Sequence, residues 1–142
     1  MHIRVGINDG DFVGDTNSAI QQAVDAAGAY GGGGVEVGAG LFTLYDSVHL
    51  RRNVRLIGAG ESTVLRKCDG VRSGFAVDAD YGQKKVTAKD AAGFRAGIGV
   101  LIKDDRSGGW IDTVATVTLV QGNVIYVDKL FVMDYNADEG GL

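Results

Sequence analysis

Residues 32–37 read Gly32-Gly33-Gly34-Val35-Glu36-Val37, and residues 54–60 read Val54-Arg55-Leu56-Ile57-Gly58-Ala59-Gly60. Each holds a short apolar–polar–apolar triplet, with glycine on both sides of the first and close after the second. That pattern suits a strand with one buried face and a tight corner beside it. The triplet Val35/Val37 recurs at Val54/Leu56 and again at Phe75/Val77, 19 and then 21 residues on. A period near 20, built from short strands and tight turns, suggests the stacked coils of a β-solenoid. It fits a glycine-rich antiparallel sheet as well, so periodicity alone leaves both open.

Outward from these triplets, further strands are expected at 41–45, 48–50 and 63–65, with Gly, Asn, Asp and Ser between them. Upstream lies the one segment with helical periodicity. Between Asn17 and Ala29, Ala19, Ile20, Ala23, Val24 and Ala27 share one face, and Gln21, Gln22 and Asp25 lie off it. Asp15 or Thr16 is placed to cap its start, and Gly28 with the run Gly31–Gly34 to stop it. So short a helix is unstable alone and must lie on something else. Past Asp78 the texture changes to longer strands at 86–88, 97–103, 113–120 and 124–127, with Gln121-Gly122-Asn123 as a hairpin loop. The expected organisation is two domains, 1–80 and 81–142, the second a small antiparallel β-barrel-like domain.

Composition bounds the chemistry. Glycine supplies 23 of the 142 residues, proline is absent, and the formal net charge is −4. That balance argues against a nucleic-acid binder working through bulk electrostatics. No apolar run approaches the roughly 18 residues of a membrane span, so no membrane partner is expected, and the first residues lack a signal-peptide hydrophobic region. Cys68 is the one cysteine, which excludes an intrachain disulfide and any cysteine-based zinc site.

The first 70 residues resemble the N-terminal portion of the pectate-lyase-like, right-handed parallel β-helix superfamily. The resemblance rests on an ordered series: Gly14-Asp15-Thr16, the helix from Ala19 to Ala27, and Gly32 to Val37. It continues through Gly40-Leu41-Phe42-Thr43-Leu44, Val54 to Gly60 and Ser62-Thr63-Val64-Leu65. It implies a mainly β fold in which the helix caps the first coils of a right-handed parallel β-helix. The stretch from Tyr81 onward is similar to the small β-domains that interrupt some of these proteins. Two features depart from the family pattern: Gly38-Ala39-Gly40 replaces the usual approach to the Leu41-like position, and Gly10-Asp11-Phe12-Val13-Gly14 replaces the usual opening. The groove residues that bind calcium and abstract a proton in pectate lyases map onto no position of this chain.

Candidate chemical residues are few. Asn8, Asp9, Asp11 and Asp15 are rich in oxygen ligands but miss the spacing of a calcium loop, so turn and capping roles are expected and no metal. Gly58-Ala59-Gly60 leads into a strand rather than the helix a dinucleotide loop requires. His2 is expected to be terminal and mobile, and His49 to point outward from a strand, neither within a triad. Asp104-Asp105 reads as a solvated pair rather than a glycosidase pair, and Cys68 as a small core residue. Arg51, Arg52 and Arg55 form a basic patch, of which Arg52 and Arg55 are candidates to hold the carboxylate of a sugar acid. Trp110 is either a sugar-stacking platform or the apolar lid of the second domain.

The reading that results is a non-catalytic N-terminal capping and assembly module of a carbohydrate-associated β-helix protein, needing no cofactor. Two alternatives stand beside it. One is part of a polysaccharide lyase or glycoside hydrolase whose active site lies on further coils or a partner subunit. The other is a structural fibre of the tailspike kind. Polysaccharide is the expected partner. The far end of the coils is expected to be covered by a second copy, by further coils or by the second domain, and the resemblance points to an extracellular or cell-surface location.

Overall fold

A computed structural model describes residues 1–138 and 140–142. The protein is mainly β and divides into two compact units, Met1–Cys68 and Asp69–Leu142.

In unit 1 the chain begins with β1 (His2–Gly6) and β2 (Phe12–Val13), followed by α1 (Asn17–Ala29). It then runs through β3 (Gly33–Val37), β4 (Gly40–Leu44), β5 (Val54–Gly58) and β6 (Thr63–Lys67). All pairings within it are parallel. One sheet has the order β2-β1-β3-β5, and β4 pairs with β6 in a second. The pleat sends alternate side chains inward, so Ile3, Val35 and Leu56 form one cross-strand row. Phe42 lies beside Leu65 in the other sheet. Chain order therefore repeats: β3 then β4 makes one layer, and β5 then β6 lies beside it strand for strand.

The register of this repeat differs from the sequence expectation. Val35 stands beside Leu56, 21 residues on, and Val54 beside Gly33. Phe75 adds no third row, because it is buried in the core of unit 2. The triplet at 75–77 has the right alternation, but its partners lie at Thr87 and Ala88 rather than along β5.

The helix forms where expected. Thr16 caps it, its hydroxyl accepting from the Ser18 N–H at 3.3 Å. Ala19, Ile20, Ala23, Val24 and Ala27 are buried in one core with Ile3, Val5, Val35, Val37 and Phe42. Fully burying Ile20 and Val24 contributes about 1.5–3 kcal/mol each. Gly28 does not stop the helix; it lies inside it. A Cβ there would come within 2.8 Å of Arg51 Cβ and Cγ, so the bare backbone gives the Arg51 stem its seat. Residues 48–50 are not a strand; Gln21 of the helix binds their backbone at His49 instead.

In unit 2 the strands are β7 (Lys85–Thr87), β8 (Gly99–Asp104), β9 (Thr113–Gln121), β10 (Val124–Val127) and β11 (Gly140–Gly141). They form one antiparallel curled sheet of order β11-β8-β9-β10-β7. The β9–β10 hairpin turns through Gly122-Asn123 as expected. Its register slips between Tyr126 and Val127, which leaves Thr118 unpaired as a bulge and sharpens the curl. Phe75, Phe131 and Tyr135 fill the interior with Val86, Ile102, Val117 and Ile125. The expected boundary at residue 80 falls inside this unit: Phe75 bridges Ala88, and Ala79 bridges Tyr135.

Candidate functional site

The outward face of the β1–β3–β5 sheet carries its charges in register. His2, Gly34 and Arg55 are consecutive cross-strand neighbours, and so are Arg4, Glu36 and Ile57. Because Gly34 has no side chain, a shallow gap lies between His2 and Arg55. A Cβ at Gly34 would meet His2 Nδ1 at 3.4 Å and Ile57 Cδ1 at 3.5 Å. His2 is not a loose terminus: its Nε2 lies 2.8 Å from Glu36 Oε2, diagonally across the sheet. The alternation of His2 and Arg4 with the buried Ile3 and Val5 is the sequence signal that places both on a strand face.

Arg55 is exposed on β5, and Arg52 is exposed in the turn before it. Neither has an ion-pair or hydrogen-bond partner among the described residues. Arg51, by contrast, is committed, with its Nη2 and Nε each 2.7 Å from Asp25 Oδ1. An exposed guanidinium with no ion-pair partner among the described residues, on the same strand face as the 41% exposed Ile57, can hold a planar anion through paired N–H donors.

Trp110 sits in the short 3-10 turn Gly109–Ile111 of unit 2 and is 91% exposed. It is not folded back over the barrel interior, so its ring face is available to a ligand. It belongs to a different unit from Arg52 and Arg55, and no single unit gathers the three.

The Asp104-Asp105 pair separates in role. Asp105 is exposed, but Asp104 is buried, which corrects the expectation of a solvated pair. Burial alone would push the Asp104 carboxyl upward. It is outweighed by the Arg106 side chain and the N–H groups of Asn136 and Arg106, which lower it from 3.8 to about 2. Oδ2 accepts from Arg106 Nη2 at 2.6 Å and the Asn136 N–H at 3.0 Å, and Oδ1 accepts from the Arg106 and Ser107 N–H groups. So anchored a carboxylate ties a loop together and is a poor proton donor. In the acidic N-terminal loop, Asp11 Oδ2 accepts from the Arg4 N–H at 2.8 Å, a turn role. Among the described residues no group of three His, Cys, Asp or Glu side chains gathers to hold a metal. His49 is exposed on a non-strand segment, and Cys68 is half-buried with Lys67 Nζ 3.6 Å from its sulfur.

No protein-family model and no curated protein matches the chain. Among solved structures, the tailspike gp61 of Pseudomonas phage phi297 aligns at 16% identity and a TM-score of 0.48. The alignment covers 87% of this chain and 24% of that one. Two further tailspikes align less closely. The tailspike gp49 from Pseudomonas phage LKA1 does so at 17% identity and TM-score 0.39, over 87% and 24% of the two chains. The Gp54 tailspike of Acinetobacter baumannii bacteriophage AP22, solved in complex with A. baumannii capsular saccharide, aligns at 12% and 0.42, over 86% and 23%. The chain thus spans about a quarter of the length of each tailspike, and the likeness is loose.

Proposed function

We propose that Met1–Cys68 is the N-terminal capping and assembly module of a carbohydrate-associated, right-handed parallel β-helix protein of the tailspike kind, without catalytic activity of its own. The observation that supports this best is the layer repeat: β3–β4 beside β5–β6 in parallel register, with α1 packed on the same core. A solenoid end exposes an apolar interior and unpaired backbone groups, which invite edge-to-edge association. A helix whose buried face is mostly alanine lies flat over such an end. Within unit 1 the opposite edge, formed by β5 and β6, has no further strand paired to it. In this reading it receives further coils or a second copy.

The glycan part of the proposal assigns Arg55 and Arg52 to a sugar carboxylate and Trp110 to a sugar ring face. The chain is mixed with acidic polysaccharides, with and without calcium. Saturable binding that weakens several-fold in Arg55→Ala, with no unsaturated product, is the expected result. Unsaturated product from this chain alone overturns the non-catalytic reading, and undiminished binding in Arg55→Ala together with Trp110→Ala overturns the assigned contacts. The capping role has its own test. Val24→Asp should bare the apolar end and drive soluble association; a variant that stays monomeric and folded refutes it.

A further inference from the structure

The dipeptide Asp-Gly occurs twice in the chain, at residues 9–10 and 69–70. It is the pair most prone to rearrange through its own backbone. Glycine has no Cβ to obstruct attack by its amide nitrogen on the preceding side-chain carboxyl. That attack needs an accessible carboxyl, an unbonded glycine N–H and a peptide free to rotate between them.

Asp69 and Gly70 are both exposed and lie outside any strand or helix. Just upstream, the Cys68 N–H donates to the Leu44 carbonyl at 2.9 Å, and after Cys68 the next backbone group to bond is that of Ser73. Among the described residues nothing hydrogen-bonds to the Gly70 N–H, and nothing ion-pairs with the Asp69 carboxylate. A Cβ built on Gly70 would meet no atom within 4 Å.

The other copy is held. The Asp9 side chain is 81% exposed, so access to the carboxyl does not separate the two sites; the backbone does. A Cβ on Gly6 would collide with the Asp9 carbonyl oxygen, and one on Gly10 would meet the Arg4 carbonyl oxygen at 3.0 Å. The next residue is fastened to β1 twice. The Asp11 N–H donates to the Arg4 carbonyl at 2.9 Å, and Asp11 Oδ2 accepts from the Arg4 N–H at 2.8 Å. Turning the Asp9–Gly10 peptide toward its own side chain would pull this loop off the strand.

We propose that Asp69–Gly70 is a site of spontaneous isomerisation to isoaspartate in the folded protein, and that Asp9–Gly10 is not. The Gly70 nitrogen attacks Asp69 Cγ and closes a five-membered succinimide. The nitrogen's proton and the carboxyl hydroxyl depart together as water. Water then adds back at one of the two ring carbonyls. Opening at the side-chain carbonyl restores aspartate; opening at the main-chain carbonyl leaves the chain running through Cβ and Cγ, with a free α-carboxylate. One water is lost and one regained, so mass is unchanged and no oxidant or reductant takes part. The product carries one extra main-chain carbon between Cys68 and Gly70. Neither unit loses a hydrogen bond to it, so both folds survive. The inference is independent of the glycan reading.

The test incubates the whole folded chain for some weeks at neutral pH and body temperature, beside the same chain unfolded in guanidinium. Trypsin releases residue 69 in the peptide 68–72 and residue 9 in the peptide 5–51. Electron-transfer fragmentation then identifies isoaspartate at each position. Residue 69 should isomerise within about twofold of its unfolded rate, and residue 9 roughly tenfold or more below its own. Gly70→Ala fits the open space there and needs no left-handed backbone. It should slow residue 69 roughly tenfold in both states, because its methyl obstructs the attacking nitrogen. Residue 69 as protected as residue 9, residue 9 reacting at its unfolded rate, or no slowing in Gly70→Ala each overturns the proposal.

Discussion

Gln21 holds the backbone of His49 by both of its polar groups. Its Oε1 accepts from the His49 N–H at 2.7 Å, and its Nε2 donates to the His49 carbonyl at 3.1 Å. One turn earlier, Asn17 Oδ1 accepts from the Tyr45 N–H at 2.9 Å; one turn later, Asp25 binds Arg51 at 2.7 Å. Positions 17, 21 and 25 lie four apart on one helix stripe. Asn17 and Gln21 therefore supply to the backbone at Tyr45 and His49 the bonds that a neighbouring strand would otherwise supply, and Asp25 ties down the Arg51 side chain beside them.

Replacing Gln21 by Leu should leave both polar groups of His49 without protein partners. Each bond is worth about 0.5–1.5 kcal/mol net, and water reaches this exposed segment, so a loss of about 1–2 kcal/mol is expected. Denaturant unfolding measures the loss, and faster deuterium exchange at the His49 amide locates it. An unchanged midpoint with unchanged exchange would show that the segment is held by something other than Gln21.

This stripe also explains what the sequence could and could not reveal. The apolar face of α1 was legible because Ile20 and Val24 sit at helical spacing and nothing competes with burying them. Val48-His49-Leu50 alternates like a strand, yet its backbone partner is a glutamine side chain rather than another strand, and alternation cannot register that. The 19-residue spacing from Val35 to Val54 marked a repeat but missed its register by two. A two-residue slip keeps every side chain on its face, and only the pairing of Val35 with Leu56 resolves it. Phe75 continued the pattern and still went to another core, since its partners Ala88 and Tyr135 are remote in sequence. In the candidate site, the arginine patch was visible as composition. The commitment of Arg51 to Asp25, which leaves Arg52 and Arg55 unpaired, depends on the seat at Gly28 and was not.

Phe42 is fully buried and faces Leu65, while Leu65 itself is 42% exposed. Phe42→Ala should destabilise unit 1 by about 3–5 kcal/mol, the usual cost of emptying a buried aromatic site. Exchange at the Val35 and Val37 amides should accelerate in step. Leu65→Ala should cost less than half as much, because much of that side chain already meets water. Equal losses in the two variants would mean that the outer layer is covered in solution.

Tyr135 closes the core of unit 2 with a hydroxyl relay. It donates to the Ile111 carbonyl at 2.9 Å and pairs with Thr113 Oγ1 at 2.7 Å, while Thr113 Oγ1 accepts from the Val132 N–H at 3.1 Å. Burial raises its pKa above 10.0. A group raised in the folded state contributes stability that is complete below its unfolded pKa and declines as pH rises through the folded value. Unit 2 should therefore lose stability above about pH 10. Tyr135→Phe should cost about 1–2 kcal/mol at neutral pH and flatten that alkaline decline. Near-ultraviolet circular dichroism across the alkaline range reads both effects, and an unaltered alkaline slope in the variant would assign the decline to another group.

Asp104 sets the opposite limb. Its carboxyl lies at about 2 in the folded protein against 3.8 in the unfolded chain. The carboxylate thus contributes stability that is complete above the unfolded value and is lost as pH falls through about 2. The full shift would be worth about 2 kcal/mol. Arg106, its main side-chain partner, is 49% exposed, so screening reduces the expected contribution to about 1–2 kcal/mol. Asp104→Asn should remove the acid-dependent limb of unit 2 between pH 4 and 2, the window set by those two values. It should also cost stability at neutral pH, because an amide cannot accept from Arg106, Ser107 and Asn136 at once. Replacing Arg106 by Lys keeps a positive charge but loses the forked contact. It should move the acid midpoint upward while preserving the limb. If Asp104→Asn leaves the acid limb in place, the buried carboxylate is not what the loop 104–107 titrates through.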